Sequence, residues 1–97
     1  MGACFQMMTV PGDTIRNEVK KRFSEVQAQC TREYGTNPYN GTWSTCSGLT
    51  FENKTFDSVA DAEEWLVDRA SKWGDALCVT AKWGSVTVWV IGAWCAE

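Results

Sequence analysis

The chain lacks the side chains that most often perform acid–base or metal chemistry. It contains no histidine, which removes the commonest general base and the usual partner of a nucleophilic serine or cysteine. Its five cysteines form no Cys-x-x-Cys pair, and an odd number of thiols does not suit a disulfide framework. We therefore expect reduced thiols that pack as small apolar residues, with no metal site, no cofactor and no catalytic activity.

The remaining candidates for function are aromatic residues surrounded by small polar ones, because such groups form binding surfaces. The first candidate surface is one face of a predicted C-terminal hairpin, which carries Trp89, Ile91, Thr80, Lys82 and Thr87. We expect this face to be exposed and to anchor a partner protein or a second copy of the chain. The alternative is that another part of the chain covers it.

An acidic helix is the second candidate surface for a partner. Between Asp57 and Asp75 the sequence has six carboxylates against two basic residues. Glu64 and Asp68 belong to this acidic face, which suits docking on a basic groove. The alternative is a solvated face whose carboxylates favour the helix N-terminus.

The segment from Tyr34 to Trp43 is a candidate site of another class. It combines three aromatic rings with amides and glycine, which can stack on and hydrogen-bond a small ligand such as a nucleotide. Basic residues of the preceding helix would supply positive charge. The alternative is a structural connection whose rings cover helix ends. The ligand-binding prediction comprises Tyr34, Tyr39, Asn40, Trp43, Arg16 and Lys20.

Apolar spacing predicts two helices that position these residues. The first runs over about 14–34 and ends at Gly35; its buried stripe is Ile15, Val19, Phe23, Val26 and Cys30. The second starts with Ser58 as N-cap, in a variant of the capping box, and ends at Gly74. Its buried stripe is Val59, Ala62, Trp65, Leu66, Ala70 and Trp73.

Strands are predicted before, between and after these helices. The first covers Ala3 to Val10, and residues 42–51 form either one bulged strand or a hairpin. The last two strands, 76–83 and 86–94, flank Gly84-Ser85, which suits a type II′ turn. That turn pairs Trp83 with Val86.

The order of elements predicts an α+β fold in a single domain over residues 1–97. We expect two layers, with both helices on one face of a mainly antiparallel sheet of four to five strands. The net charge of −3 disfavours nucleic-acid binding, and no stretch is long and apolar enough to span a membrane. A protein of the cytoplasm is expected.

Several segments resemble a group of small phage-encoded and prophage-encoded accessory proteins. The similar segments are Tyr39–Trp43, Lys54–Ser58, Asp61–Leu66, Lys72–Leu77 and Ile91–Trp94. Many proteins of this size and origin are anti-CRISPR or other anti-defence factors, which bind a host effector or sequester a signalling nucleotide. The resemblance implies a binding protein that acts in the cytoplasm of a bacterial host.

Two functions from different classes follow. The first is a small phage-type inhibitor that binds a host defence effector stoichiometrically, through the Trp89 face or the acidic helix. The second is a small-ligand or nucleotide-binding protein that uses the segment Tyr34–Trp43. A homodimer formed through the hairpin face is compatible with both.

Overall fold

The part of the chain that the structure describes forms two helices and one four-stranded sheet. In a computed structural model, which describes residues 3–34, 43, 48–70 and 74–96, the elements alternate along the sequence. In chain order they are β1 (Ala3–Pro11), α1 (Arg16–Tyr34), β2 (Leu49–Phe56), α2 (Val59–Arg69), β3 (Ala76–Trp83) and β4 (Val86–Ala96). The α+β class and the C-terminal strand pair are as predicted.

The sheet is open and mixed, with the strand order β1-β4-β3-β2. The pairs β1–β4 and β3–β4 are antiparallel, whereas β2 runs parallel to β3. Parallel neighbours need a crossover connection, and α2 provides it. The chain thus begins at one edge of the sheet with β1, and β2 forms the other edge.

The hairpin register follows the prediction. Trp83 lies opposite Val86, and the pairing continues without interruption to Leu77 opposite Gly92. Gly84 has a φ of +63°, the left-handed conformation that a two-residue hairpin turn requires at this position. Strand β4 extends to Ala96, two residues beyond the predicted end.

The prediction that both helices lie on one face of the sheet is wrong. Residues of β4 with odd numbers, such as Ile91, share a buried cluster with Val19 and Phe23 of α1. Residues with even numbers, such as Val90, share a second cluster with Leu66 of α2. Because successive side chains of a strand point to opposite faces, the helices cover opposite sides of the sheet.

These two clusters define an α1-side core and an α2-side core. The α1-side core also takes in Cys78, Cys95 and Trp43, which packs its ring edge-on against Phe23 at 5.6 Å between centroids. On the α2 side, the indole N–H of Trp94 donates a hydrogen bond of 2.9 Å to the carbonyl of Val67 in α2. A small sheet buried on both faces gains apolar burial that two layers do not offer.

The boundaries of the helices differ from prediction at their ends. Ile15 precedes α1 and is 69% exposed, so it is not part of the buried stripe. Helix α2 ends at Arg69, since Ala70 has an extended backbone, whereas the prediction continued to Trp73. The cap of α2 is as predicted: the Ser58 hydroxyl accepts a 3.1 Å hydrogen bond from the Asp61 amide.

Strand β2 lies further along the chain than predicted. It covers Leu49–Phe56, with a register shift between Phe51 and Thr55, and residues 42 and 44–47 of the predicted segment lie outside the described residues. The shift places a bulge in the middle of an edge strand, which disturbs its outer row of hydrogen-bonding groups.

Candidate protein-binding surface

The face of the hairpin that carries Trp89 and Ile91 is not exposed. Ile91 is fully buried and Trp89 is half-buried, because α1 lies over this side of the sheet. The prediction that Trp89 and Ile91 look toward solvent is therefore wrong, and for these two residues the alternative of cover from within the chain is correct.

Trp89 contacts both the segment that precedes α1 and strand β2. Its indole N–H donates a 2.8 Å hydrogen bond to the carbonyl of Thr14, at the start of the segment that leads into α1. Its ring meets Phe51 edge-on, with 5.6 Å between centroids, and the Arg16 guanidinium lies 5.3 Å from the centre of the Phe51 ring. Such a side chain fastens α1 to the sheet and is not available as an anchor for a partner.

The polar members of the predicted face have separate surroundings. The Thr80 hydroxyl is 2.7 Å from that of Thr55 and donates a 3.1 Å hydrogen bond to the carbonyl of Lys54, so it joins β3 to β2. Lys82 and Thr87 are exposed, opposite each other near the hairpin turn. The structure brings these two together at the surface but leaves Thr80 within the sheet.

The acidic helix face is exposed as predicted. Glu64 and Asp68 lie one turn apart on α2 and both are exposed. Trp65 follows Glu64 in α2, and the Arg69 guanidinium and the Lys54 ammonium each lie 5.5 Å from the centre of its ring. Two cations thus cover this ring, which leaves the carboxylates as a solvated surface.

Most of the predicted ligand segment lies outside the described residues, including Tyr39 and Asn40 and the side chain of Tyr34. Trp43 is described and is only 8% exposed, so its ring faces are taken up by the core and not by a ligand. Arg16 and Lys20 are exposed on α1, where Arg16 stacks on Phe51.

A pair of exposed apolar side chains lies instead at the turn end of the hairpin. Trp83 and Val86 pair across the two strands next to the turn, and each is 59% exposed. We call Trp83, Val86 and the neighbouring Pro11 the hairpin-end patch. The side chains of this patch share the α2 face of the sheet, but they lie beyond the end of the cover that α2 gives.

Two grooves adjoin the patch, and Trp83 borders both. The larger, of about 660 Å³, lies between the hairpin end and the segment that follows β1; Val10, Gly12, Asp13 and Thr87 line it together with the patch. The smaller, of about 400 Å³, runs from Trp83 across to Met7 of β1 and Ser58 at the start of α2. An exposed indole between two shallow apolar grooves is a form suited to binding.

Gly12 sets the shape of the larger groove. A Cβ atom at this position would lie 1.9 Å from the carbonyl oxygen of Thr87, so only glycine lets the chain pass this close to β4. The segment after β1 therefore lies directly against the hairpin, and its backbone forms one wall of the groove.

The thiols and carboxylates of the described residues form no candidate metal site. These residues include no group of three or more histidine, cysteine, aspartate or glutamate side chains placed to hold a metal ion. Burial raises the pKa of Cys78 from 9.0 to about 12, against the weaker opposing effect of the Arg16 charge. Cys78 is thus a neutral core thiol at physiological pH.

None of the known protein families, curated proteins or solved structures compared with this chain matches it. Among the described residues, neither helix is long and apolar enough to cross a membrane.

Proposed function

We propose that this protein is a non-catalytic binding protein that attaches to another protein through the hairpin-end patch. The observation that carries the proposal is the exposure of Trp83 and Val86, 59% each, beside two grooves. Tryptophan is the residue type most enriched among the few that dominate protein–protein binding energies.

The position of the patch gives it a rigid support. Trp83 and Val86 are fixed by the antiparallel register of β3 and β4 and by the tight turn at Gly84. A rigid anchor loses little conformational entropy on binding, which favours affinity. Lys82 and Asp13 lie at the margins of the grooves and supply charges of both signs for a polar rim.

We place the partner among the defence effectors of a bacterial host, with the protein acting as a stoichiometric inhibitor in the host cytoplasm. The resemblance of its segments to small phage-encoded anti-defence proteins supports this choice, as does the absence of histidine, which disfavours a catalytic inhibitor. The exposed acidic face with Glu64 and Asp68 would contribute if the partner presents a groove for nucleic acid.

Nucleotide binding has weaker support than protein binding. Trp43, the described aromatic ring of the predicted ligand segment, is buried against Phe23 and cannot stack on a base without leaving the core. A thermal-shift panel of nucleotides tests this second function directly, and a rise in Tm with any of them would favour it.

The decisive experiment is capture of a partner from bacterial lysate with three tagged forms of the protein. The wild type is compared with Trp83→Ala and with Val67→Ala, a matched control that shortens another exposed apolar side chain, on α2. Captured proteins are identified by mass spectrometry, and circular dichroism verifies that all three forms are folded.

A host protein retained in stoichiometric amount by the wild type and by Val67→Ala, and lost with Trp83→Ala, is the expected result. Removal of a central tryptophan costs about 2 kcal/mol or more of binding free energy, or roughly a 30-fold loss of affinity. Equal capture by wild type and Trp83→Ala would show that the hairpin-end patch is not the binding surface.

A further inference from the structure

The two edges of the sheet differ in how they are protected against pairing with another strand. Edge strand β2 carries Glu52 and Lys54 and has a register shift in its middle. Both devices discourage edge-to-edge association. Edge strand β1 has neither: its nine residues include no charged side chain, and its pairing with β4 is continuous from Ala3 to Pro11.

The hairpin turn determines which backbone groups of β1 point outward. In a two-residue hairpin the residues that flank the turn, Trp83 and Val86, exchange hydrogen bonds, and such pairs then alternate along the strands. Even-numbered residues of β4 therefore bond to β3, and odd-numbered residues bond to β1. By the register, Trp89 and Ile91 bond to Val10 and Met8.

The N–H and C=O groups of Phe5, Met7 and Thr9 consequently point away from the sheet. Within the part of the chain that the structure describes, no backbone group outside the sheet bonds to these three residues. Pro11 also falls on an outward position, so its missing N–H removes nothing from the β1–β4 ladder. Strand β1 is thus a regular template for one more strand.

We propose that β1 pairs antiparallel with β1 of a second copy, about a two-fold axis at Met7, to give a continuous sheet of eight strands. In this register Met7 faces Met7 of the other copy, and Phe5 faces Thr9. Three such pairs provide about six backbone hydrogen bonds. Because β1 has no charged side chain, its self-pairing brings no like charges together. Like charges directly opposite each other would destabilise the pair of strands.

The size of this interface makes the dimer weak. Nine residues of strand edge extend over about 30 Å. Strand pairing alone buries less than the roughly 800 Å² per partner of a standard interface. We therefore expect the dissociation constant of the dimer to lie in the micromolar range or above. Of the hairpin-end patch only Pro11, the last residue of β1, takes part in this contact, and each copy keeps its exposed Trp83 and Val86.

Sedimentation velocity over a wide range of protein concentrations tests the dimer. The wild type should pass from monomer to dimer, whereas Thr9→Pro, which removes one outward N–H at an exposed position, should remain monomeric. The matched control Thr9→Val keeps this N–H and should dimerise as the wild type does. Circular dichroism shows whether Thr9→Pro is folded.

A pair of charge variants keeps the test independent of proline. Met7→Lys and Met7→Glu should each be monomeric, because identical charges would meet at the two-fold axis, and an equimolar mixture should recover the dimer. A wild type that is monomeric at millimolar concentration would overturn the proposal. So would a dimer that persists in Thr9→Pro or a mixture that fails to recover it. Sedimentation reports only the association of the chain with itself, so its outcome is separate from the capture of a partner by the wild type and Trp83→Ala.

Discussion

Trp89 and Trp83 lie on the same hairpin, and the structure assigns them opposite roles. Replacing Trp89 by alanine removes a ring that packs on Phe51 and leaves the carbonyl of Thr14 without its 2.8 Å donor. Loss of a buried aromatic side chain costs about 3–5 kcal/mol. Since Trp89 is half-buried, we expect the free energy of unfolding to fall by about 3 kcal/mol. Trp83→Ala, at an exposed position, should change it by less than about 0.5 kcal/mol.

Urea unfolding followed by far-ultraviolet circular dichroism measures both values. For a chain of this length the slope is about 1 kcal/mol per molar urea, so the midpoint of Trp89→Ala should shift down by about 3 M. The variant Trp89→Phe keeps the ring contact but loses the N–H donor, and it should cost about 1–2 kcal/mol. A loss below about 1 kcal/mol for Trp89→Ala would refute the placement of α1 over Trp89, and an equal loss for Trp83→Ala would contradict the exposure of Trp83.

Substitutions at three further positions test the packing, the cap of α2 and the buried thiol by the same urea assay. Gly92→Ala should cost about 1–3 kcal/mol, because its Cβ would lie 2.9 Å from side-chain atoms of both Leu66 and Phe5; an unchanged midpoint would contradict the close approach of α2 to β4. Ser58→Ala should cost about 1 kcal/mol through loss of the α2 cap, whereas Ser58→Asp should retain most of the stability. Because burial raises the pKa of Cys78 to about 12, its thiol stabilises the fold fully below pH 9, where the unfolded thiol is also neutral. That contribution falls by about 1.4 kcal/mol per pH unit from pH 9 to 12, and Cys78→Ala should show a smaller decline than the wild type over this range.

The local features of the fold are readable from sequence because short-range rules determine them. The turn chemistry of Gly84 fixes the register of Trp83 against Val86, and the side chain of Ser58 caps the helix that follows it. The spacing of Val19 and Phe23 likewise identifies the buried side of α1. Each of these signals needs only a few neighbouring residues.

The alternation of apolar and polar residues along a strand shows which residues share a face of the sheet. It does not show which face each helix covers. One signal was nevertheless present: residues 86–96 form a nearly continuous apolar run, which is typical of a strand buried on both faces. A second was the order strand, helix, strand around α2, which favours a parallel crossover. Together they predict helices on both faces, and they would have placed Ile91 in the core.

The exposure of the hairpin-end patch was not predicted, because it follows from the difference in length between helix α2 and the strands of the hairpin. Alternation places Trp83 on the same face as Val79 and Val90, and both of these are buried beneath α2. A helix of 11 residues is only about 16 Å long, whereas a strand of 11 residues extends over about 36 Å. The end of the hairpin is therefore left uncovered, and comparison of element lengths is the signal that locates the patch.

The central claim is that Trp83 contacts the partner, and site-specific photo-crosslinking in bacterial cells tests it most directly. A photoreactive amino acid is placed at Trp83 in one form of the protein and at Glu64 of the acidic helix in another. We expect a defined crosslinked host protein from position 83 and none from position 64. A crosslink from position 64 alone would contradict the claim and would assign binding to the acidic face of α2.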